Sequence, residues 1–143
     1  MHRRVKGSGL LFAALALVML PACTRHYLRI YRTEISANQQ ALPKLQLGMS
    51  AESVRAAMGE GEIINYGRLY LVDPWRAEAF SLADGVEVRI LFYVTQPPRK
   101  YYRPEDHELT PIVFEDDKLV GWGWSYLRQK SDRYRLSIPR EQR

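Results

Sequence analysis

The chain has 143 residues, 21 Lys or Arg against 16 Asp or Glu, and a formal net charge of +5. That length suits one small domain rather than several. A lone cysteine, Cys23, excludes an internal disulfide, and His2, His26 and His107 are too few and too scattered for a metal-ligand or Cys/His catalytic spacing.

The chain opens on a basic stretch, His2-Arg3-Arg4-Val5-Lys6, followed by an unbroken apolar run from Leu10 to Leu20. At 11 residues the run is well short of the ~20 needed to span a bilayer as a helix. Basic start, short apolar run and a small residue, Ala22, make a secretory signal peptide over residues 1–22. Leu20-Pro21-Ala22-Cys23 resembles a bacterial lipobox, which implies cleavage between Ala22 and Cys23 and acylation of the Cys23 thiol. Two or three acyl chains, at ~0.8 kcal/mol per buried methylene, would hold the protein on a membrane. Thr24 stands where inner-membrane lipoproteins often carry Asp, so the resemblance implies an outer-membrane anchor facing the periplasm. Loss of Arg3, Arg4 and Lys6 with the signal lowers the basic count from 21 to 18 against 16 acidic residues, a net of +2. Nothing in that balance calls for nucleic acid.

Residues 23–43 read as a lipidated tether and entry segment. Tyr27, Tyr31 and Ile35 recur at helical spacing and allow a short helix that Pro43 stops; an extended tether is the alternative. Ser50 suits the N-cap of the clearest helix, with Glu52 in its first turn, an apolar stripe of Ala51, Val54, Ala57 and Met58, and Gly59 as a left-handed cap. Strand signals follow over 63–72, ended by Asp73-Pro74, and over 78–83 and 86–95 around an Asp84-Gly85 turn. Further strands at 112–114 and 119–126 flank Asp116-Asp117, which pairs Glu115 with Lys118 and Phe114 with Leu119. If Asp84-Gly85 is a two-residue turn, Leu82 and Phe80 share a face with Glu87 and Arg89, and that register stays open. The expected fold is α+β, one or two N-terminal helices on an antiparallel β-meander, spanning residues 44–127. Residues 128–143 read as a basic C-terminal tail.

The segment from Leu45 to Gly59 resembles the L-x-x-G-M-[ST] helix start of BamE-like (SmpA/OmlA) lipoproteins. Asp106 to Phe114, with Leu119-Val120-Gly121-Trp122-Gly123, resembles a related family of small uncharacterised lipoproteins. The resemblance implies an ααβββ-type two-layer domain, non-enzymatic, in outer-membrane protein assembly or envelope maintenance; a periplasmic inhibitor or sensor of a soluble envelope enzyme is the alternative. Neither reading implies a cofactor.

Function then falls to surfaces. Arg99, Lys100, Tyr101, Tyr102 and Arg103, in a proline-bounded loop, are the candidate contact to a partner or to phospholipid head groups, with a plain solvated loop as the alternative. Trp122 and Trp124 fall on one face of the last strand and Gly121 and Gly123 on the other, an arrangement suited to core filling or to close helix approach. The last strand is also a candidate sheet edge for a partner strand. The carboxylates at Glu105, Asp106 and Glu108 and at Glu115, Asp116 and Asp117 read as solvated turns rather than as a buried acid/base pair.

Overall fold

The computed structural model describes residues 29, 32–33, 35–66, 69–97 and 103–138. The chain divides into two compact units, Met1–Thr33 and Glu34–Arg143. In the first, Thr33 Oγ1 donates to the Arg29 carbonyl at 2.9 Å, a helical contact four residues back. Cys23, Ala22 and the signal segment lie outside the described residues, as do Arg99, Lys100, Tyr101 and Tyr102.

The second unit is α+β. Helix α1 covers residues 35–41 and tightens into a 3₁₀ turn at Leu42–Lys44, with Pro43 in its first turn. Its buried face carries Ile35, Asn38 and Ala41, three residues apart each time. Helix α2 is Ala51–Met58, and Ser50 caps it as expected, its hydroxyl accepting from the Ser53 amide at 3.1 Å. Ala51, Val54 and Met58 are buried, whereas Ala57 faces solvent. Gly59 has φ 95° but ψ 152°, an extended glycine conformation rather than the left-handed cap the sequence suggests.

Among the described residues six strands follow: β1 Gly61–Tyr66, β2 Leu69–Asp73, β3 Arg76–Ser81, β4 Glu87–Val94, β5 Leu109–Glu115 and β6 Lys118–Trp122. Strands β1 and β2 form their own antiparallel pair, and β3-β4-β5-β6 form a four-stranded antiparallel meander. The single strand expected over 63–72 is thus two, with Tyr66 and Leu69 opposite each other; the turn signal within that run of sequence is Gly67.

The second hairpin has the expected register, Glu115 against Lys118 and Phe114 against Leu119, with Asp116 and Asp117 both at positive φ. The first hairpin resolves differently. Leu82 bonds to Val86 and the Gly85 amide to the Leu82 carbonyl, so the loop has one residue more than a two-residue Asp-Gly turn. Phe80 therefore faces Val88 and not Arg89. That extra residue removes the mismatch of apolar and charged side chains that a shorter turn forces.

Leu91, Tyr93, Ile112, Phe114 and Leu119 share one sheet face and pack with Ala41, Leu45, Ala51, Val54 and Met58. Val88, Ile90, Phe92 and Val113 alternate onto the opposite face and are equally buried. Their cover is helix α3, Trp124–Tyr134, which occupies residues assigned from sequence to the end of a strand and to a basic tail. The expected strand over 119–126 stops at Trp122. Gly123, at φ 85°, turns the chain out of the sheet and serves as the N-cap of α3. Trp122 and Trp124 accordingly lie on opposite faces, Trp122 against the α1–α2 core and Trp124 beside Phe92 at 5.9 Å between ring centroids. Gly121 does permit close helix approach, since a Cβ built there would run into the Tyr126 ring of α3. No helix among the described residues is long and apolar enough to cross a membrane.

Candidate interaction surfaces

Leu45-Gln46-Leu47-Gly48-Met49-Ser50 performs three tasks in six residues. The Met49 amide bonds back to the Gln46 carbonyl, and Gly48 at φ 87° supplies the left-handed corner of that turn. The turn aims the next residues along β6: the Gly48 amide donates to the Leu119 carbonyl and the Leu119 amide to the Met49 carbonyl, both at 2.8 Å. Ser50 bridges Lys118 and then caps α2. The edge of β6 that the sequence offers to a partner strand is therefore taken by the chain itself at Lys118 and Leu119. Leu47, at the outer corner of the turn, remains 68% exposed.

A polar node pins α1 to the sheet. Asn38 Nδ2 donates to Asp73 Oδ2 at 2.8 Å and to the Val94 carbonyl at 3.0 Å, and both side chains are buried. Gln39 Nε2 donates to the Thr95 carbonyl at 2.7 Å. Next to it the Thr95 and Thr110 hydroxyls meet at 2.7 Å, and the Thr95 and Gln96 amides donate to the Glu108 carbonyl. Glu108 corrects the solvated-turn reading. It is 1% exposed, and its Oε2 accepts from the Glu105 amide at 2.8 Å in a reciprocal capping box around the 3₁₀ turn Asp106–Glu108. His107 lies 3.7 Å from Glu105 and 3.6 Å from Glu108. Glu105 and Asp106 stay at the surface, as do Asp116 and Asp117. Glu115 is half-buried and accepts from the Tyr134 hydroxyl at 2.7 Å. These carboxylates cap turns and hold helices. Among the described residues no group of three or more His, Cys, Asp or Glu is placed to hold a metal ion.

The hydroxyl of Tyr93 stands apart, buried in the α1–α2 core with no hydrogen-bond partner among the described residues. Burial, and then the negative charge of Asp73, push its pKa well above the ordinary tyrosine value. Tyr134 is also raised, by burial and by hydrogen bonds to Tyr126 and Glu115.

Among the described residues three features face outward. A groove of about 450 Å³ runs beside α2, where Ala51, Ala56 and Gly59 leave room between Glu52, Arg55, Glu60, Arg89 and Asp117. Both arginines are already engaged, Arg55 with Glu60 at 3.1 Å and Arg89 with Asp117 at 3.6 Å, so the groove has mixed charge. On the α3 side, the Arg76 guanidinium lies 4.0 Å over the Phe92 ring and pairs with Asp106 at 3.2 Å, extending the Trp124–Phe92 stack to the surface. The third feature is β3, the outer strand of the meander. Of the proposed contact loop, Arg103 is exposed and precedes the buried Pro104. Sequence reasoning missed the α3 surface, where Arg133 reaches Glu115 and Asp84 at 3.4 and 3.6 Å; the spacing of Trp124, Leu127 and Tyr134 is the signal that could have found it.

Neither the curated proteins nor the solved structures contain a match to this chain. One family model does match, over residues 24–129, which takes in α1, α2, all six strands and the first half of α3. That span is most of the chain, and the chain belongs to the family described as protein of unknown function (DUF3192).

Proposed function

We propose that this protein is a lipid-anchored interaction module of the bacterial cell envelope, held on the outer membrane through Cys23 and facing the periplasm. The observation that carries the reading is the chain's one cysteine at the end of Leu20-Pro21-Ala22, behind a basic start and an 11-residue apolar run. The resemblance of residues 45–59 to BamE-like lipoproteins supports a role in outer-membrane protein assembly or envelope maintenance. The domain itself supports binding, because both faces of the four-stranded sheet are spent on packing and the described residues expose a charged groove, an aromatic–cation stack and an open strand.

Radiolabelled palmitate and cell fractionation test the anchor. The wild-type chain should take up label and pellet with membranes, and Cys23→Ala should lose label and appear in the soluble periplasmic fraction. A Cys23→Ala protein that still pellets, or a wild-type protein that takes no label, would overturn the anchor. In-cell cross-linking followed by mass spectrometry tests the role. Outer-membrane barrel-assembly components among the captured proteins support it; a single soluble periplasmic enzyme in their place replaces it with the inhibitor reading.

A further inference from the structure

The four-stranded sheet treats its two edges differently. At β6 the outward groups of Leu119 are bonded by Gly48 and Met49. At β3 nothing comparable happens. The Leu82–Val86 pair exchanges a hydrogen bond at the hairpin end, and alternation along an antiparallel pair then places Phe80, Glu78 and Arg76 in the bonded positions against β4. Ala77, Ala79 and Ser81 therefore turn their amides and carbonyls outward. Among the described residues no backbone hydrogen bond from outside the sheet reaches these three, and all three are exposed. An open row of this kind is a template for strand pairing.

We propose that β3 pairs antiparallel with β3 of a second copy of this chain, about a two-fold axis through Ala79. This register pairs residues 77–81 of one strand with 81–77 of the other. Ala77 faces Ser81 of the second copy, Ala79 faces Ala79, and each such pair exchanges two backbone hydrogen bonds. The side chains between the strands on that face are only Ala and Ser, so nothing bulky keeps the backbones apart. On the other face Glu78 comes opposite Phe80, and no charge meets a like charge directly. A two-fold through Glu78 would instead set Glu78 against Glu78, which is unfavourable. The pairing also closes. The joined eight-stranded sheet would end on both sides at β6, where Gly48–Ser50 already occupies the edge, so association stops at a dimer instead of growing into a fibre. The self-matching register and the capped far edge favour a second copy over a foreign strand.

The test uses the full chain purified in detergent. Light scattering coupled to size exclusion should report two chains per particle at high concentration. Ala79→Pro and Ala79→Lys should each shift the particle to one chain with little change in melting temperature. The Ala79 amide is not used against β4, so proline is tolerated at this edge position, and lysine keeps the fold if proline does not. Ala79→Cys should couple to itself through a short bis-maleimide several-fold more than Glu52→Cys, an exposed position on α2, with the unsubstituted chain, carrying only Cys23, as background. One chain per particle at every concentration would overturn the proposal. So would a dimer that survives both substitutions, or an Ala79→Cys variant that couples no better than Glu52→Cys.

Discussion

Removing one hydroxyl from each of two buried tyrosines should move stability in opposite directions. The Tyr93 hydroxyl is buried at the edge of the core, near the charge of Asp73, and has no hydrogen-bond partner among the described residues. Burying such a group costs about 1–3 kcal/mol by protein mutational data. Tyr93→Phe relieves that cost and leaves a void one oxygen in size, worth roughly a few tenths of a kcal/mol. The net expectation is stabilisation by about 1 kcal/mol, or a rise in Tm of roughly 4 °C for a domain of this size. Tyr134 is equally inaccessible, but its hydroxyl donates to Glu115 at 2.7 Å. A bond to a charged acceptor is worth about 1.5–3 kcal/mol. Glu115 is 24% exposed and keeps Arg133, so Tyr134→Phe should cost about 1 kcal/mol and lower Tm by roughly the same 4 °C. The pH dependence gives a second reading. Both tyrosines have folded-state pKa values raised above the unfolded value, so the folded state holds protons that the unfolded state gives up. Folding stability is therefore independent of their ionisation below about pH 10 and falls as pH rises beyond it. Tyr93→Phe should make thermal stability fall less steeply on the alkaline side than in the wild type. Circular-dichroism melts from about pH 7 to about pH 11, spanning the ordinary tyrosine range, measure both effects. A loss of stability in Tyr93→Phe as large as that in Tyr134→Phe would refute the account of an unpartnered hydroxyl.

Two further predictions concern helix attachment. Gly121→Ala should destabilise the domain by about 1–3 kcal/mol through overpacking against Tyr126, and the penalty should largely disappear in a Tyr126→Ala background; additive losses in the double-mutant cycle would contradict the close approach. Asn38→Ala removes a donor shared by buried Asp73 and the Val94 carbonyl and should cost about 2–3 kcal/mol, read as a fall in urea midpoint with the slope unchanged; an unaltered midpoint would mean that α1 is held by apolar contacts alone.

The features legible in the sequence are those whose cause lies within a few residues. Ser50 as a cap and Asp116-Asp117 as a turn need only their neighbours, and both have the expected geometry. Asp84-Gly85 marks the right place but the wrong register, because Gly85 takes its positive φ at the end of a three-residue loop instead of forming half of a two-residue one. Helix α3 reads as a tail because Arg128, Lys130 and Arg133 dominate its composition; Trp124, Leu127 and Tyr134 face the sheet, and their value depends on Phe92 and Phe80 far upstream. Glu108 reads as solvated for the same kind of reason. Its acceptor is used by the amide of Glu105, but its burial depends on the packing of elements that composition cannot bring together. Of the proposed contact residues, only Arg103 lies among those described, and it is exposed.

Helix α3 also changes where function can reside. A two-layer domain leaves one sheet face for partners, and a strip of tryptophans on that face would be its natural contact. Here α1 and α2 cover one face and α3 the other, with Trp122 and Trp124 divided between the two packing layers. On the proposed reading, the surfaces that the described residues leave for a partner lie at the periphery of the sheet: the groove beside α2, the Arg76–Phe92 stack and the open edge of β3. Only the last is built from backbone groups, which keep their geometry whatever the side chains do. Side-chain substitutions at Arg55, Arg89 or Arg76 should therefore tune any partner contact, whereas a single proline at position 79 should abolish pairing through β3 outright.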